Sequence, residues 1–245
     1  MLYIVATPIG NLDDLSPRAV QAFRAADIVA CEDTRRTRAL LSRYEIPRPA
    51  RFVSYREQTE QRAGERLLAA LQEGRTVALC SDGGYPGISD PGYRLIRLAV
   101  EHGVPFEVIP GPSAVPVALL VSGLPTSSYT FKGYPPRKPG PLRRFFEAER
   151  DLPHTLVVFE SPLRAAATLR AALDALGDRC AAVCIELTKK FERTHRGYLA
   201  DLAAALENEP LKGEVVIVIA GNNRKFRRLE DDGPACYDPA CRCKR

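Results

Sequence analysis

The chain has 245 residues, of which 45% are hydrophobic and 27% are charged, and its net charge is +5. This is the composition of a globular protein, and no apolar run approaches the ~18 residues of a membrane span. No membrane partner is therefore predicted. The chain starts in a strand-like run without a basic n-region, which predicts a cytoplasmic location. The arginines are clustered, which indicates an anionic partner more than the total charge does.

Short apolar runs of strand character alternate with segments of helical periodicity. Helices are predicted from Pro17 onward, where Ser16 supplies an N-cap, and also at 60–72 and 162–176. The alternation predicts an α/β protein with parallel or mixed sheets covered by helices. Nine strands are predicted, at residues 2–6, 27–31, 52–54, 77–81, 106–109, 129–132, 155–160, 180–187 and 214–220.

The pattern divides into two halves and a tail. Residues 1–112 are predicted to form an N-terminal α/β lobe. Residues 113–223 are predicted to form a second α/β lobe, which opens with a helical segment at 113–121. Residues 224–245 lose the pattern and are predicted to be a basic, Cys-rich, flexible tail. A cleft between two lobes is a common ligand site.

The seven cysteines fall into two groups. Three of them, Cys236, Cys241 and Cys243, crowd the polar tail. No two of these have C-x-x-C spacing and no histidine is near, so exposed thiols are favoured over zinc and no metal site is predicted. The other four lie in or beside apolar runs and are predicted to be small core residues; they are Cys31, Cys80, Cys180 and Cys184.

The most informative segment is residues 81–92, which follow the apolar run 77–80. Four glycines and two prolines in this segment predict a sharply shaped loop, because Gly allows positive φ and Pro fixes φ. A loop that leaves the carboxyl end of a strand is where open α/β sheets bind ligands. Asp82 and Asp90 argue against a phosphate cradle, so a small-molecule site is predicted.

Several common kinds of site are excluded. No G-x-G-x-x-G follows the first strand and no Gly-Lys dipeptide occurs, which excludes an ordinary dinucleotide fingerprint and a Walker A loop. The three histidines form neither H-E-x-x-H nor a zinc-deaminase signature. Residues 111–113 lack the second glycine of a nucleophile elbow, because position 115 is Val.

Eight short motifs occur in order along the chain, at residues 3–12, 32–35, 81–92, 110–114, 122–126, 159–162, 186–189 and 212–214. In order and spacing they closely resemble the ribosomal RNA small-subunit methyltransferase I family. The resemblance covers roughly residues 1–220 and is far more specific than any single loop. The chain departs from the family pattern at Ala6, at residues 83–86 (GGYP for AGTP), at Leu163 and at Ile185.

The resemblance implies a tetrapyrrole-methylase fold of two α/β lobes, with mixed sheets flanked by helices and S-adenosylmethionine bound in the cleft between them. It implies 2′-O-methylation of a cytidine ribose in the decoding region of small-subunit (16S) ribosomal RNA. The partners would be that RNA, or the assembled small subunit, and a second copy of the chain in a homodimer. The resemblance also places Tyr85 against the cofactor.

The resemblance further implies which residues line the cofactor site. The structural alternatives are that the glycines and prolines only form tight turns and that Phe159 and Leu187 belong to the core. The implied cofactor residues are Pro8, Ser81, Asp82, Gly83, Gly84, Tyr85, Pro86, Ile88, Ser113, Ala114, Phe159, Leu187, Gly213 and Glu214.

The 2′-hydroxyl is a weak nucleophile that must lose its proton at or after attack, and a carboxylate or lysine can accept that proton or orient the hydroxyl. Glu32 and Asp33, at the end of a predicted strand, are candidates, and Lys189 is a third. The alternative for the two acids is that they complement the dipole of the following helix. The alternative for Lys189 is a solvated surface charge.

Three basic groups predict an RNA-binding surface, since positive grooves track phosphate backbones. Tyrosines at positions 55, 85 and 134 are candidates for stacking on splayed bases. The alternative is that the charges are ordinary solvated faces. The basic groups are Arg35, Arg36, Arg38 and Arg43; Arg137, Lys138, Arg143 and Arg144; and Lys189, Lys190, Arg193 and Arg196.

Two other functions stay open at this point. The first is a methylase of the same fold that acts on a tetrapyrrole or a peptide, for which a cleft without basic walls would be expected. The second is an RNA-binding homologue that has lost catalysis, which would be favoured if Tyr85 filled the cofactor pocket.

Overall fold

The computed structural model describes residues 1–208 and 211–228. The chain divides into two compact units, Met1–Ser113 and the part from Ala114 onward. Each unit holds one five-stranded sheet. No helix in the described ranges is long and apolar enough to cross a membrane.

The sheet of the first unit is entirely parallel, with strand order β3-β2-β4-β1-β5. Its central strands are almost fully buried, as expected of a parallel sheet that is covered on both faces. Its strands are β1 (Leu2–Val5), β2 (Ile28–Cys31), β3 (Arg51–Ser54), β4 (Val77–Cys80) and β5 (Phe106–Ile109).

Four helices cover the two faces of this sheet. Helices α1 (Pro17–Ala25) and α2 (Thr34–Arg43) contribute to one hydrophobic cluster. Helices α3 (Glu60–Gln72) and α4 (Tyr93–Glu101) contribute to the cluster on the other face. The predicted N-cap is confirmed, because the side chain of Ser16 accepts a hydrogen bond from the amide of Ala19 at 3.2 Å.

The sheet of the second unit is mixed, with order β6-β7-β10-β8-β9. Strands β6 and β7 are parallel, and every other neighbouring pair is antiparallel. The strands are β6 (Tyr129–Phe131), β7 (Thr155–Glu160), β8 (Cys180–Ile185), β9 (Arg193–Tyr198) and β10 (Val215–Ile219). The prediction of an α/β protein with parallel and mixed sheets flanked by helices is confirmed.

The described part of the second unit contains four α-helices: α5 (Ala114–Ser122), α6 (Pro139–Glu147), α7 (Ala165–Leu176) and α8 (Leu199–Asn208). Helices α6, α7 and α8 share one large hydrophobic cluster with β7, β8 and β10. Helix α5 packs against β10 and β8. The four cysteines that were expected in the core are all buried and free.

The start of the predicted tail differs from the expectation of a patternless segment. Residues Arg224–Phe226 form a 3₁₀ helix, and the backbone of Arg227 forms an isolated antiparallel β-bridge with that of Arg179. Arg228 pairs with Asp178 at 3.2 Å and also with Asp201, which fastens this segment to the second unit. The rest of the tail, with its three cysteines, lies outside the described residues.

Candidate active site

The loops after β1 and β4 are joined at the carboxyl end of the first sheet. The amides and carbonyls of Thr7 and Gly84 exchange two hydrogen bonds of 2.9 Å, and the Thr7 hydroxyl donates to the carbonyl of Ser81 at 3.0 Å. The helices that follow these strands pack on opposite faces of the sheet. Open α/β sheets bind ligands where neighbouring connections diverge in this way. The arrangement brings Pro8 next to the loop at 81–92, since a Cβ on Gly83 would lie 3.5 Å from the Pro8 carbonyl oxygen.

The loop at 81–92 closes on itself, which confirms the predicted sharp shape. The amide of Gly87 donates to the carbonyl of Pro91 at 3.3 Å. Gly92 has φ of 153°, and a Cβ there would lie 2.6 Å from the amide nitrogen of Gly87. No side chain fits at that position, so the return of the loop requires glycine.

Tyr85 connects the loop after β4 to the loop after β5. Its hydroxyl accepts a hydrogen bond of 3.0 Å from the amide of Gly111, and its side chain is half-buried. Gly111 in turn lies against Ala6, because a Cβ on Gly111 would approach the Ala6 Cβ to 3.0 Å. Two residues at which the chain departs from the family pattern, Ala6 and Tyr85, therefore contact the same glycine. Ser113 follows this loop as the last residue of the first unit.

The acidic residues that follow β2 lie beside Asp82, which follows β4. The amide of Asp33 donates to Oδ1 of Asp82 at 3.0 Å, and Arg36 pairs with the same carboxylate at 3.4 Å. Asp33 is the N-cap of α2, since its Oδ1 accepts a hydrogen bond of 2.8 Å from the amide of Arg35. The Arg35 side chain also pairs with Asp33 at 2.9 Å. The helix-cap alternative is thus confirmed for Asp33.

The neighbouring carboxyl groups of Glu32 and Asp33 have pKa values that are shifted in opposite directions. Burial raises the pKa of Glu32, and the negative charge of Asp82 raises it further. The hydrogen bonds from Arg35 hold the pKa of Asp33 well below its usual range. Asp33 is therefore a fixed negative charge, and Glu32 is the acid of the pair with the higher proton affinity.

In the second unit, the segments after β8 and before β10 are held together by one carboxylate. Oε1 of Glu186 accepts hydrogen bonds of 2.8 Å from the amide of Glu214 and from Nζ of Lys189. Nζ of Lys189 also lies 3.1 Å from Oε2 of Glu214. A Cβ on Gly213, whose φ is 93°, would overlap the carboxyl group of Glu186. This glycine is required both for the backbone conformation and for the space.

Lys189 is held as an ammonium group. Burial would lower its pKa, but the hydrogen bonds to Glu186 and Glu214 outweigh burial and raise the pKa above the usual value. A protonated amine can orient a hydroxyl but cannot accept its proton. The contacts contradict the alternative of a solvated surface charge.

The remaining residues predicted for the second lobe have different surroundings. Leu187 is 5% exposed, which agrees with the core alternative. Phe159 is half-buried and packs edge-on against Phe131 and Tyr134, with ring centroids 4.8 and 5.6 Å apart. Ala114 is the first residue of α5.

Sequence reasoning missed Glu160, whose buried carboxylate organises the junction of β7 and α7. It accepts hydrogen bonds from the amide of Ser161 at 2.7 Å and from the hydroxyl of Thr168 at 2.6 Å. Arg164 pairs with it at 3.3 Å and donates to the carbonyl of Pro136 at 2.9 Å. An acid at the end of an apolar strand, directly before Ser-Pro, was the available signal.

The basic residues do not form one cluster within the second unit. Arg137 and Lys138 follow β6 at one edge of its sheet, whereas Lys190 and Arg193 adjoin β9 at the opposite edge. All four side chains are exposed.

The arginines of the first unit that were predicted to bind RNA lie on α2, where Arg38 stacks over the ring of Phe52 at 4.9 Å. The prediction that Tyr55 stacks on bases is wrong, because this tyrosine is 1% exposed and packs in the core. Tyr134, in contrast, is 61% exposed.

Comparison with known proteins identifies the family. Residues 1–203 match the model of the Tetrapyrrole (Corrin/Porphyrin) Methylases. A uroporphyrin-III C-methyltransferase from Thermus thermophilus, solved in complex with S-adenosyl homocysteine, has the same fold, with a TM-score of 0.61 at 21% identity over 89% of this chain and 96% of that one.

Two other proteins have a higher sequence identity to this chain. The ribosomal RNA small subunit methyltransferase I of Mesorhizobium japonicum is 50% identical over 97% of this chain and 79% of its own length. The protein of the same name from Thermotoga maritima is 39% identical over 90% of this chain and 98% of its own length. The chain belongs to the tetrapyrrole methylases and, within them, to the ribosomal RNA small-subunit methyltransferase I family.

Proposed function

We propose that this protein transfers the methyl group of S-adenosylmethionine to the ribose 2′-hydroxyl of a cytidine in the decoding region of small-subunit ribosomal RNA. The family membership and the names of the relatives support an RNA methyltransferase. The observation that carries the proposal is the carboxyl group of Glu32, with its raised pKa, at the ligand-binding end of the first sheet.

The loops at this end suit a nucleoside cofactor. In the loop that follows β4, Gly83 is half-buried, and Gly84 is buried and pinned to Thr7 by two main-chain hydrogen bonds. Backbone amides and short side chains are what bind the polar atoms of such a ligand. Ile88, which is 50% exposed, supplies apolar surface, and Pro8 lies buried behind the loop. S-adenosylmethionine, when bound, supplies a methyl group that is already activated as a sulfonium. The protein then contributes mainly orientation of the acceptor hydroxyl.

In this proposal, Glu32 would accept the 2′-hydroxyl proton as the hydroxyl oxygen takes the methyl group, and the methyl–sulfur bond would break to leave a neutral thioether. Asp33 does not serve as the base, because its carboxylate is hydrogen-bonded to Arg35 and binds protons weakly. Lys189 positions the 186–189 and 212–214 segments, which we assign to the cofactor site of the second unit together with Phe159.

We also assign RNA contacts to the exposed arginines and lysines on α2, before α6 and beside β9, and we propose a homodimer. An RNA substrate of this kind places the activity in the cytoplasm. Tyr85 is an integral contact between two loops in the structure, through its hydrogen bond to Gly111. It is therefore expected to support the cofactor site rather than to abolish it.

The test is the transfer of labelled methyl from S-adenosylmethionine to small subunits that lack the modification, with the product mapped by nuclease digestion and mass spectrometry. We expect 2′-O-methylcytidine. Absence of transfer, with cofactor binding demonstrated by calorimetry, would favour a small-molecule or peptide methylase. Absence of cofactor binding would favour an RNA-binding homologue without catalysis.

A further inference from the structure

A groove of about 870 Å³ runs along the free edge of the first sheet, between strand β3 and helix α3. Its apolar lining includes Ile28, Val53 and Leu67. Polar side chains, among them those of Ser54 and Gln58, also line it. The groove contains none of the residues that were assigned to the cofactor.

Both walls of the groove carry arginines. Arg51 lies on the strand, and Arg62 and Arg66 lie one turn apart on the helix; all three side chains are exposed. None of the three forms an ion pair with any residue in the described ranges, whereas Arg97 on the adjacent α4 is paired with Glu101. Glu65 is the only acid among the lining residues. The groove therefore has an excess of positive charge that the fold itself does not neutralise.

The groove leads to the candidate active site. Its lining includes Ser54 and Thr59 at the carboxyl end of β3, on either side of Arg56. Nε of Arg56 donates a hydrogen bond of 3.0 Å to the carbonyl of Glu32. Since β2 and β3 are parallel neighbours, their carboxyl ends lie at the same end of the sheet. A strand of RNA whose target ribose is at Glu32 can thus continue along β3 toward Arg51.

The free edge of β3 offers few main-chain hydrogen bonds to a peptide strand. The amide of Arg51 donates to the carbonyl of Asp27, directly before β2, and the amide of Tyr55 donates to the carbonyl of Cys31 in β2. By the alternation of a strand, only the main-chain groups of Phe52 and Ser54 point outward. Two residues give too few main-chain bonds for strand addition, whereas guanidinium groups on both walls match a phosphodiester backbone.

We infer that this groove binds the single-stranded RNA segment adjoining the methylated nucleotide, with its phosphates paired to Arg51, Arg62 and Arg66. The inference rests on the proposed function, because it takes the substrate to be RNA. It adds a second contact region, remote from the reacting atoms, that sets the affinity for RNA and not the rate of the chemical step.

The test compares the double variant Arg62→Gln/Arg66→Gln with the control Arg24→Gln/Arg75→Gln. The control removes two exposed arginines of the same unit that do not line the groove. Binding of a short single-stranded RNA spanning the target is followed by fluorescence anisotropy over a salt series, and methyl transfer gives KM and kcat.

We expect the groove variant to bind RNA about tenfold more weakly at 0.1 M salt, and its log–log salt slope to fall by about 1.4, or about 0.7 for each lost phosphate contact. KM for RNA should rise while kcat and S-adenosylmethionine affinity stay at the wild-type value. The control should match the wild type in RNA affinity, salt slope, KM, kcat and S-adenosylmethionine affinity.

An unchanged salt slope in the groove variant would overturn the inference. Unchanged RNA affinity combined with weaker methylation of assembled subunits would also overturn it, because the groove would then bind a protein. The binding measurement needs no turnover. A wild-type protein that binds the RNA but does not methylate it therefore contradicts the proposed function and leaves the binding inference to be judged separately.

Discussion

Glu32 and Asp33 are neighbours in the sequence, yet their surroundings shift their pKa values in opposite directions. Asp33 turns toward Arg35 and caps α2, while Glu32 is partly buried next to the charge of Asp82. The amino-acid pattern predicted both as candidate bases, together with Lys189, and did not rank them. Only their contacts distinguish them, because a pKa depends on burial and on charges that come from other segments.

Glu32→Gln should lower kcat by about 10²- to 10⁴-fold with little change in RNA affinity, because it removes the proposed proton acceptor and retains the size of the side chain. In the wild type, activity should fall with decreasing pH through a pKa above that usual for glutamate. Methyl-transfer kinetics over a pH series measure both effects. The matched control is Glu57→Gln, at an exposed acid with no assigned role; equal kcat in the two variants would refute the assignment.

The stability of the protein should depend on pH in the opposite direction to its activity. Since the pKa of Glu32 is raised in the folded state, the native protein binds more protons there, and Glu32 reduces stability as pH rises from its unfolded pKa through its folded pKa. Glu32→Gln should therefore be at least as stable as the wild type at neutral pH. Urea unfolding at pH 4 to 8 tests this, and a clear loss of stability at pH 7 would show that the carboxylate has a structural role instead.

Gly213 is a second position at which one residue controls the local structure. Gly213→Ala is expected to cost about 3 kcal/mol, because the methyl group would displace the carboxyl of Glu186 and the positive φ is unfavourable for alanine. The control is Gly177→Ala, which shares the positive φ but has no atom within 4 Å of the new Cβ; it should cost about 1 kcal/mol. Equal losses in urea unfolding would mean that the Glu186 contacts add nothing.

The boundaries of individual elements show where local sequence patterns were sufficient. Helix α3 was predicted at its observed bounds because its apolar side is continuous. The predicted strand 180–187 ends two residues earlier, at Ile185, because Glu186 adopts a positive φ of 52° to reach the amide of Glu214. Strand β9 was missed, since an exposed edge strand with alternating polar residues lacks the apolar run of a buried one.

The junction between β7 and α7 provides a prediction for a whole element. Glu160→Ala should destabilise the protein by about 3 kcal/mol, because it leaves Arg164 and the Thr168 hydroxyl without their buried partner. Glu207→Ala, in an exposed pair with Arg170, should cost less than about 1 kcal/mol. Thermal and urea unfolding of the two variants give the comparison. Similar losses would show that the buried carboxylate is not what holds the start of α7.

The charge of the whole molecule predicts how the binding of its two proposed ligands, RNA and S-adenosylmethionine, depends on salt concentration. With a net charge of +5 and several exposed arginines, RNA affinity should fall steeply between 50 and 200 mM salt, with a log–log slope of about −0.7 for each phosphate contacted. S-adenosylmethionine carries both charges in one small molecule, so its affinity should change much less. Anisotropy and calorimetry in the same buffers make the comparison. A flat RNA curve would mean that the basic groups are ordinary solvated surface.

The β-α alternation, the cap at Ser16 and the ordered motifs could be predicted from the sequence because each depends on residues close together in the chain. Those motifs were also enough to identify the family. The joining of Thr7 to Gly84, the burial of Tyr55, the arginine groove and the opposite pKa shifts of Glu32 and Asp33 could not. They arise where parallel strands bring distant loops to one edge of the sheet, and the order of those strands is set by packing on both faces rather than by any local pattern.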